Sequence, residues 1–207
     1  MMKTNFLKLS LLALVLFITS CNNDDNDAAP VVETKTVTNL YAPQTGGQGQ
    51  PEGGAFTKFS FSENAIVTTD KWDIAFRGTT IIVNGGAKIG ITDEPERTGS
   101  GAVSIVSGIF ASVTTFPATA TFAQDGASTY AFPISGTNAW YDYNSSTHIV
   151  SAKAGKVFVV KTHDGKYAKF EILSYYKDAP AVPDATTSAS RYYTFNFAYQ
   201  ANSTTTF

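Results

Sequence analysis

An alternation of aromatic and polar side chains with a period of two is the feature that most constrains the fold. It is clearest near the C-terminus, where every second residue is aromatic: Tyr193, Phe195, Phe197 and Tyr199. Successive side chains of a strand point to opposite faces, so this pattern predicts a strand with one buried face. The same period recurs in residues 58–62 and 72–76. The chain is therefore expected to build its core from strands.

A central hairpin is predicted from residue 156 to residue 176. Residues 157–160 are all apolar, which is typical of a strand buried on both faces. Asp164-Gly165 follows, a dipeptide favoured in tight turns, and residues 166–176 alternate again. No stretch repeats with the helical period, and residues 102–112 are at most a short helix. We predict an all-β, antiparallel, sandwich-like fold with at most one short helix.

Residues 1–20 are predicted to be a lipoprotein signal peptide. Lys3 and Lys8 form a positive region, and the apolar run 9–18 has about ten residues, against roughly twenty in a membrane-spanning helix. The run ends in Thr19-Ser20-Cys21, which resembles the lipobox of bacterial lipoproteins. Cys21, the only cysteine, is then the lipid attachment point, and no internal disulfide can form. An ordinary cleaved signal with a chance cysteine is the alternative.

Residues 21–30 are polar and acidic and are predicted to form a solvated tether. An acidic stretch directly behind a lipidated cysteine resembles the surface-export signal of Bacteroidetes lipoproteins. We therefore expect an outer-membrane lipoprotein that faces the cell exterior, with a periplasm-facing one as the alternative. Residues 31–207 are expected to form one β domain. The formal net charge of −2 argues against a nucleic-acid partner.

Motifs of catalysis or phosphate binding are absent from the sequence. The glycines at 85–86 and 99–101 lack the lysine and the strand–turn–helix setting of a phosphate loop, so they are expected to form turns. The acids at 93, 94 and 96 surround Pro95 without the spaced oxygens of a calcium loop, which favours a solvated acidic turn. We expect a protein that is not an enzyme. A hydrolase whose carboxylates converge only on folding stays open.

Several sequence blocks follow one another in a specific order between residues 56 and 200. They are Lys71-Trp72-Asp73-Ile74-Ala75-Phe76-Arg77, residues 81–86, residues 101–113, the hairpin 155–169 and Tyr193-Thr194-Phe195-Asn196-Phe197-Ala198-Tyr199. Together they resemble the HmuY family of Bacteroidetes haem-binding outer-membrane lipoproteins. The resemblance implies an all-β, sandwich-like fold and a non-catalytic role. It also implies haem capture, followed by hand-over to a TonB-dependent outer-membrane receptor.

Haem binding requires an apolar slot and side chains that can ligate iron. The resemblance implies a pair of histidines or a pair of methionines, but both methionines lie in the predicted signal peptide. His148 follows Trp140 in the region where one family ligand falls, although the matching position is nearer Ser145. His163 lies in the hairpin turn and is expected to be exposed. The possible haem-binding residues are His148, Tyr143 and Tyr141, with Tyr130 as a further source of a phenolate.

Each of these side chains also has a purely structural interpretation. His148 can bond its backbone surroundings at the start of a strand, and the tyrosines can simply pack. The leading hypothesis is a surface-anchored haem-binding lipoprotein, with no metal other than haem iron. The alternative is a surface interaction or ligand-binding module of the same fold that does not bind haem. An apolar cleft near residues 140–148 would distinguish the two.

Overall fold

The computed structural model describes residues 32–47, 49–202 and 204–207. The described chain is built from strands, with two three-residue 3-10 helices at Phe110–Ser112 and Thr119–Thr121. The strands are β1 (Thr34–Tyr41), β2 (Thr45–Gly47), β3 (Gln50–Gly53), β4 (Thr57–Ser60), β5 (Ala65–Ile66), β6 (Ile74–Arg77), β7 (Thr80–Val83), β8 (Ala102–Ser107), β9 (Tyr141–Asn144), β10 (Ile149–Ala152), β11 (Lys156–Lys161), β12 (Tyr167–Tyr176) and β13 (Ser190–Gln200). The predicted all-β class is confirmed.

The larger sheet has five antiparallel strands in the order β1-β13-β12-β11-β8. The predicted hairpin joins β11 to β12, with Phe158 opposite Phe170 and Lys161 opposite Tyr167. The first six residues of the segment 102–112 are a strand rather than a helix, because they pair with β11 along its whole length. A smaller sheet has the order β5-β4-β6-β7.

The core lies between these two sheets and is largely aromatic. Phe59 of the small sheet meets Phe195 and Phe197 of the large sheet edge-on, with ring centroids 5.4 and 5.8 Å apart. Burial of such rings is the main source of stability in a fold of this kind. Phe158 and Val160 face this core, while Val157 and Val159 pack against Val113 on the outer face. The prediction that this strand is buried on both faces is therefore confirmed.

A separate hairpin, β9–β10, lies outside both sheets and follows the buried Trp140. Residues 177–189 connect β12 to β13. They pass close to this hairpin, because residues of both segments line the same surface recesses. The strands thus place this connection and the hairpin together at the surface. None of the helices in the described ranges is long and apolar enough to cross a membrane. The predicted signal peptide, Cys21 and the tether lie outside the described residues.

Candidate functional site

The β9–β10 hairpin carries three of the residues expected to bind haem. Its strands pair antiparallel, with Tyr143 opposite Val150 and Asn144 opposite Ile149. The side-chain oxygen of Asn144 accepts hydrogen bonds from the backbone N–H groups of Ser146 and Thr147, at 2.9 and 3.1 Å. This local bonding is the way in which asparagine favours a tight turn. The turn brings the end of β9 and the start of β10 together.

Tyr143 and His148 meet across this turn. The Tyr143 hydroxyl lies 2.7 Å from His148 Nδ1, a hydrogen-bonding distance. His148 has a φ of 56°, in the left-handed region that non-glycine residues rarely adopt. Both side chains are exposed, with 54 % of Tyr143 accessible to solvent. The structure therefore joins two of the predicted ligands in one pair at the surface.

Tyr141 and Tyr130, the other candidate tyrosines, are engaged in packing. Tyr141 packs against Trp140 with the rings tilted and their centroids 4.7 Å apart, and its hydroxyl donates a hydrogen bond to the Ile134 carbonyl at 3.3 Å. Trp140 is itself fixed, because its indole N–H donates to the Thr79 carbonyl at 2.8 Å. Tyr130 is partly buried and packs against the cluster on the outer face of the small sheet, and this burial raises its pKa. Tyr141 thus stays near the candidate site, whereas Tyr130 belongs to another part of the fold.

Two surface recesses flank the hairpin. A groove of about 590 Å³ lies between the hairpin and the connection that follows β12, with Ile149 and Ser151 on one wall and Val182 and Pro183 on the other. A recess of about 300 Å³ lies between the hairpin residues Tyr141 and Tyr143 and the segment 134–136 that precedes them, with Lys153 also in its lining. Both volumes lie within the range of small-molecule sites, about 300–1,000 Å³. Tyr141 and Tyr143 line the smaller recess, and His148 is not among the lining residues of either one.

The loop that forms the outer wall of the groove is held by Asp184. Its carboxylate accepts hydrogen bonds from the backbone N–H groups of Thr186 and Thr187, both at 2.9 Å, and from both threonine hydroxyls. These bonds favour the charged carboxylate and lower the pKa of Asp184 to about 2. Val182, two residues earlier, is 85 % exposed. The loop therefore exposes the apolar side chain of Val182 beside a turn that the hydrogen bonds of Asp184 hold in place.

Lys153 is the positive charge of the smaller recess. Its ammonium group donates to the Gly136 carbonyl at 2.6 Å and lies 3.2 Å from the Asp142 carboxylate. A cation in this position can also meet the carboxylate of a ligand. Val182 and Pro183 could not be predicted from the sequence, because no local pattern connects their loop to the hairpin. Lys153 directly follows β10, but a single lysine after a strand carries no signal of a site. The proline-rich composition of the loop was the only available signal.

His163 lies in a different environment from the predicted one. Its ring is mostly buried, and Nδ1 lies 2.8 Å from the carboxylate of Asp73, whose side chain is 1 % exposed. Asp73 also accepts hydrogen bonds from the backbone N–H groups of His163 and Phe61. Burial raises the pKa of Asp73, while these hydrogen bonds oppose the rise. The expectation of a simply exposed turn histidine is wrong, because the buried carboxylate of Asp73, directly before β6 of the small sheet, binds the ring.

The predicted acidic turn is also more buried than its sequence suggests. Glu94 accepts hydrogen bonds from the backbone N–H groups of three consecutive residues, 89–91, and pairs with Arg97 at 3.0 Å. Arg97 in turn lies 3.1 Å from the buried carboxylate of Asp125. These contacts satisfy the Glu94 carboxylate within the protein. Across the described ranges, no group of three or more histidine, cysteine, aspartate or glutamate side chains is placed to hold a metal ion.

The structure is an all-β sandwich with recesses on both sides of a surface hairpin. A sequence model described as HmuY protein matches residues 54–197, which is well over half of the chain. The chain therefore belongs to the HmuY family. The family resemblance noted from the sequence blocks is confirmed. No match was found among curated proteins.

Three solved structures are similar to the chain, each at 15 % sequence identity. A Bacteroides vulgatus protein, provisionally described as HmuY-like and haem-binding, has a TM-score of 0.44 over 82 % of this chain and 92 % of its own. A Bacteroides fragilis protein, provisionally described as a lipoprotein, has a TM-score of 0.46 over 84 % and 94 %. The apo form of an HmuY analogue from Tannerella forsythia has a TM-score of 0.45 over 82 % and 96 %.

Proposed function

We propose that this protein is a surface-anchored lipoprotein that binds haem and passes it to an outer-membrane receptor, without catalytic chemistry of its own. The observation that carries the proposal is the match of residues 54–197 to the HmuY family. Residues 31–207 would form the binding domain. The partner that receives haem would be a TonB-dependent receptor, as the family resemblance implies.

The surroundings of the β9–β10 hairpin support a haem site in this domain. Haem is a flat apolar ring with a central iron and two carboxylates, so its site needs apolar walls and a donor atom for iron. Ile134, Ile149 and Val182 supply exposed or half-buried apolar surface on the two sides of the hairpin. Tyr143, Tyr141 and His148 supply oxygen and nitrogen donors within the same structural unit.

A haemin titration tests the proposal. The chain from residue 21 onward, carrying Cys21→Ser so that it is not acylated, is titrated with haemin while the Soret band is followed. We expect a saturable shift with one haemin per chain. A spectrum that remains the sum of protein and free haemin at every ratio would refute haem binding. Bovine serum albumin is an unsuitable control because it binds haemin, so lysozyme serves as the non-binding reference.

Membrane anchoring through Cys21 has an independent test. In cells that express the full chain, labelled palmitate should enter the wild-type protein and not the Cys21→Ser variant. Two or three acyl chains give stable anchoring, since each buried methylene contributes about 0.8 kcal/mol. Protease added to intact cells should then degrade the protein if it faces the exterior. Label in the Cys21→Ser variant would contradict the assignment of Cys21.

One observation favours the alternative, an interaction or ligand-binding module that does not bind haem. The two histidines lie in separate environments, with His148 bonded to Tyr143 and His163 bonded to Asp73. The part of the chain described by the structure therefore holds no histidine pair of the kind that the family resemblance implies. In that case haemin would give no saturable shift, although the fold and the lipid anchor would be retained.

A further inference from the structure

The larger groove, between the β9–β10 hairpin and the connection after β12, differs in chemistry from the smaller recess. Its volume is about 590 Å³, and half of its lining side chains are apolar: Ile149, Ala181, Val182, Pro183 and Ala185. The one charged group among its lining residues is the carboxylate of Asp184. That carboxylate already accepts four hydrogen bonds from the two threonines that follow it at 186 and 187. The groove therefore suits a ligand whose body is apolar and uncharged.

The donor groups expected to hold iron lie outside this groove. Among the described residues that line it, none carries an imidazole, a thiol, a thioether or a phenol, the groups with which proteins usually ligate haem iron. Tyr143 lines the smaller recess, and its hydroxyl is bonded to His148 at 2.7 Å. His148 is not among the lining residues of either recess. A porphyrin in the larger groove would therefore contact its walls with the ring and would not meet a side chain that ligates its metal.

We propose that the larger groove binds the porphyrin ring itself through apolar contact and that binding does not require the metal. The inference deepens the proposed function and rests on it, because it widens the ligand class from haem to porphyrins with or without a metal. In bound haem, a water molecule rather than a side chain would be the axial ligand of the ferric iron. Hand-over to a receptor would then require only that the ring leave the walls, since no bond between protein and metal has to break.

The two walls of the groove supply complementary contacts. On the loop wall, Val182 is 85 % exposed beside the turn that Asp184 holds, so its side chain meets a ligand without rearrangement of the loop. On the hairpin wall, the lining includes Asn144, Thr147 and Ser151. Amide and hydroxyl groups can donate hydrogen bonds to the two carboxylates of protoporphyrin. The ring and its carboxylates thus both find partners in one groove.

Two porphyrins and a set of variants separate this inference from the proposed function. Haemin and metal-free protoporphyrin IX are titrated separately into the chain from residue 21 onward, with Cys21→Ser in every variant. Val182→Asp places a charge on the loop wall, and Ser151→Phe fills the groove from the hairpin wall. Both positions are exposed, so neither change should prevent folding. Ile109→Asp is the matched control, because Ile109 is an exposed aliphatic side chain, at 70 %, that lines neither recess.

The wild-type chain should bind one molecule of either porphyrin with similar affinity. Its haemin complex should give a high-spin ferric signal in electron paramagnetic resonance, as expected for a water ligand. Val182→Asp and Ser151→Phe should weaken the binding of both porphyrins alike, by about tenfold or more, because the first places a charge against the ring and the second occupies its space. Ile109→Asp should match the wild type.

The inference is overturned if haemin binds and metal-free protoporphyrin does not, because the metal would then be required. It is also overturned if both porphyrins bind and neither groove variant changes either affinity, since the ring would then lie elsewhere. A low-spin haemin complex, as two nitrogen ligands produce, would contradict the water ligand and overturn it as well. In these three cases haemin still binds, so the proposed function stands. If the wild type binds neither porphyrin, the proposed function itself fails and this inference fails with it.

Discussion

The two tryptophans offer a sharp test of how the candidate site is attached to the core. Both are nearly inaccessible, with Trp72 at 0 % and Trp140 at 2 % exposure. The indole N–H of Trp140 donates to the Thr79 carbonyl at 2.8 Å. The indole nitrogen of Trp72 is buried and has no hydrogen-bond partner among the described residues. Replacement by phenylalanine removes similar volume at both positions but breaks a hydrogen bond only at Trp140.

The expected difference follows from the cost of leaving the partly buried Thr79 carbonyl without its indole donor. In Trp140→Phe the Thr79 carbonyl loses its indole donor, which costs about 1–3 kcal/mol beyond the cavity that both variants create. In Trp72→Phe the change removes a donor that was already unpaired. The free energy of unfolding should therefore fall further for Trp140→Phe, by about 1–3 kcal/mol. With a urea slope of about 2 kcal/mol/M, the two midpoints should differ by about 0.5–1.5 M.

Urea unfolding followed by circular dichroism measures both midpoints, and the slopes must agree for the comparison to hold. Equal midpoints, or a lower midpoint for Trp72→Phe, would refute the idea that the bond from Trp140 to Thr79 secures the chain ahead of the hairpin. Because Trp140 packs against Tyr141, Trp140→Phe should also weaken haemin binding. Trp72 packs on the other side of the small sheet, so Trp72→Phe should leave haemin binding unchanged.

Two further predictions concern local contacts. Because hydrogen bonds lower the pKa of Asp184 to about 2, below the unfolded value of 3.8, its contribution to loop stability is present above pH 4 and is lost as pH falls through about 2. The amide resonance of Thr186 should report that midpoint in an NMR titration, and a midpoint near 4 would contradict it. Gly85→Ala would place a Cβ 2.0 Å from the Gly101 carbonyl oxygen, so we expect it to destabilise the fold by at least about 1–3 kcal/mol. Gly126→Ala has a nearest contact of 3.9 Å and is the matched control in thermal denaturation.

The strands were predictable because each carries its own signal. The alternation of Tyr193, Phe195 and Phe197 marks a buried face, and all three are at most 1 % exposed. Asp164-Gly165 marks the central hairpin in the same local way. The strand Ala102–Ser107 was harder to predict, because its structure depends on pairing with β11, about fifty residues later in the chain. Local sequence patterns identify strands, but they do not identify which strands pair with each other in a sheet.

The candidate site was only partly predictable for the same reason. Tyr143 and His148 could be selected by residue type, but their hydrogen bond depends on the turn at 145–148, which Asn144 organises. In the larger groove, the wall opposite the hairpin is formed by Val182 and Pro183, which belong to a connection more than thirty residues later in the chain. Asp73 and His163 are ninety positions apart, and no spacing rule connects them. Sequence patterns therefore supply the candidate groups, and the fold decides which of them meet.

The central claim is that the surface around the β9–β10 hairpin binds a ferric porphyrin. Gallium protoporphyrin IX is a diamagnetic analogue of ferric haem, so its binding can be mapped residue by residue on NMR amide resonances. We expect saturable shifts in residues 134–136 and 141–152, and none around His163 in the β11–β12 turn. No shifts, or shifts centred on another surface, would contradict the claim.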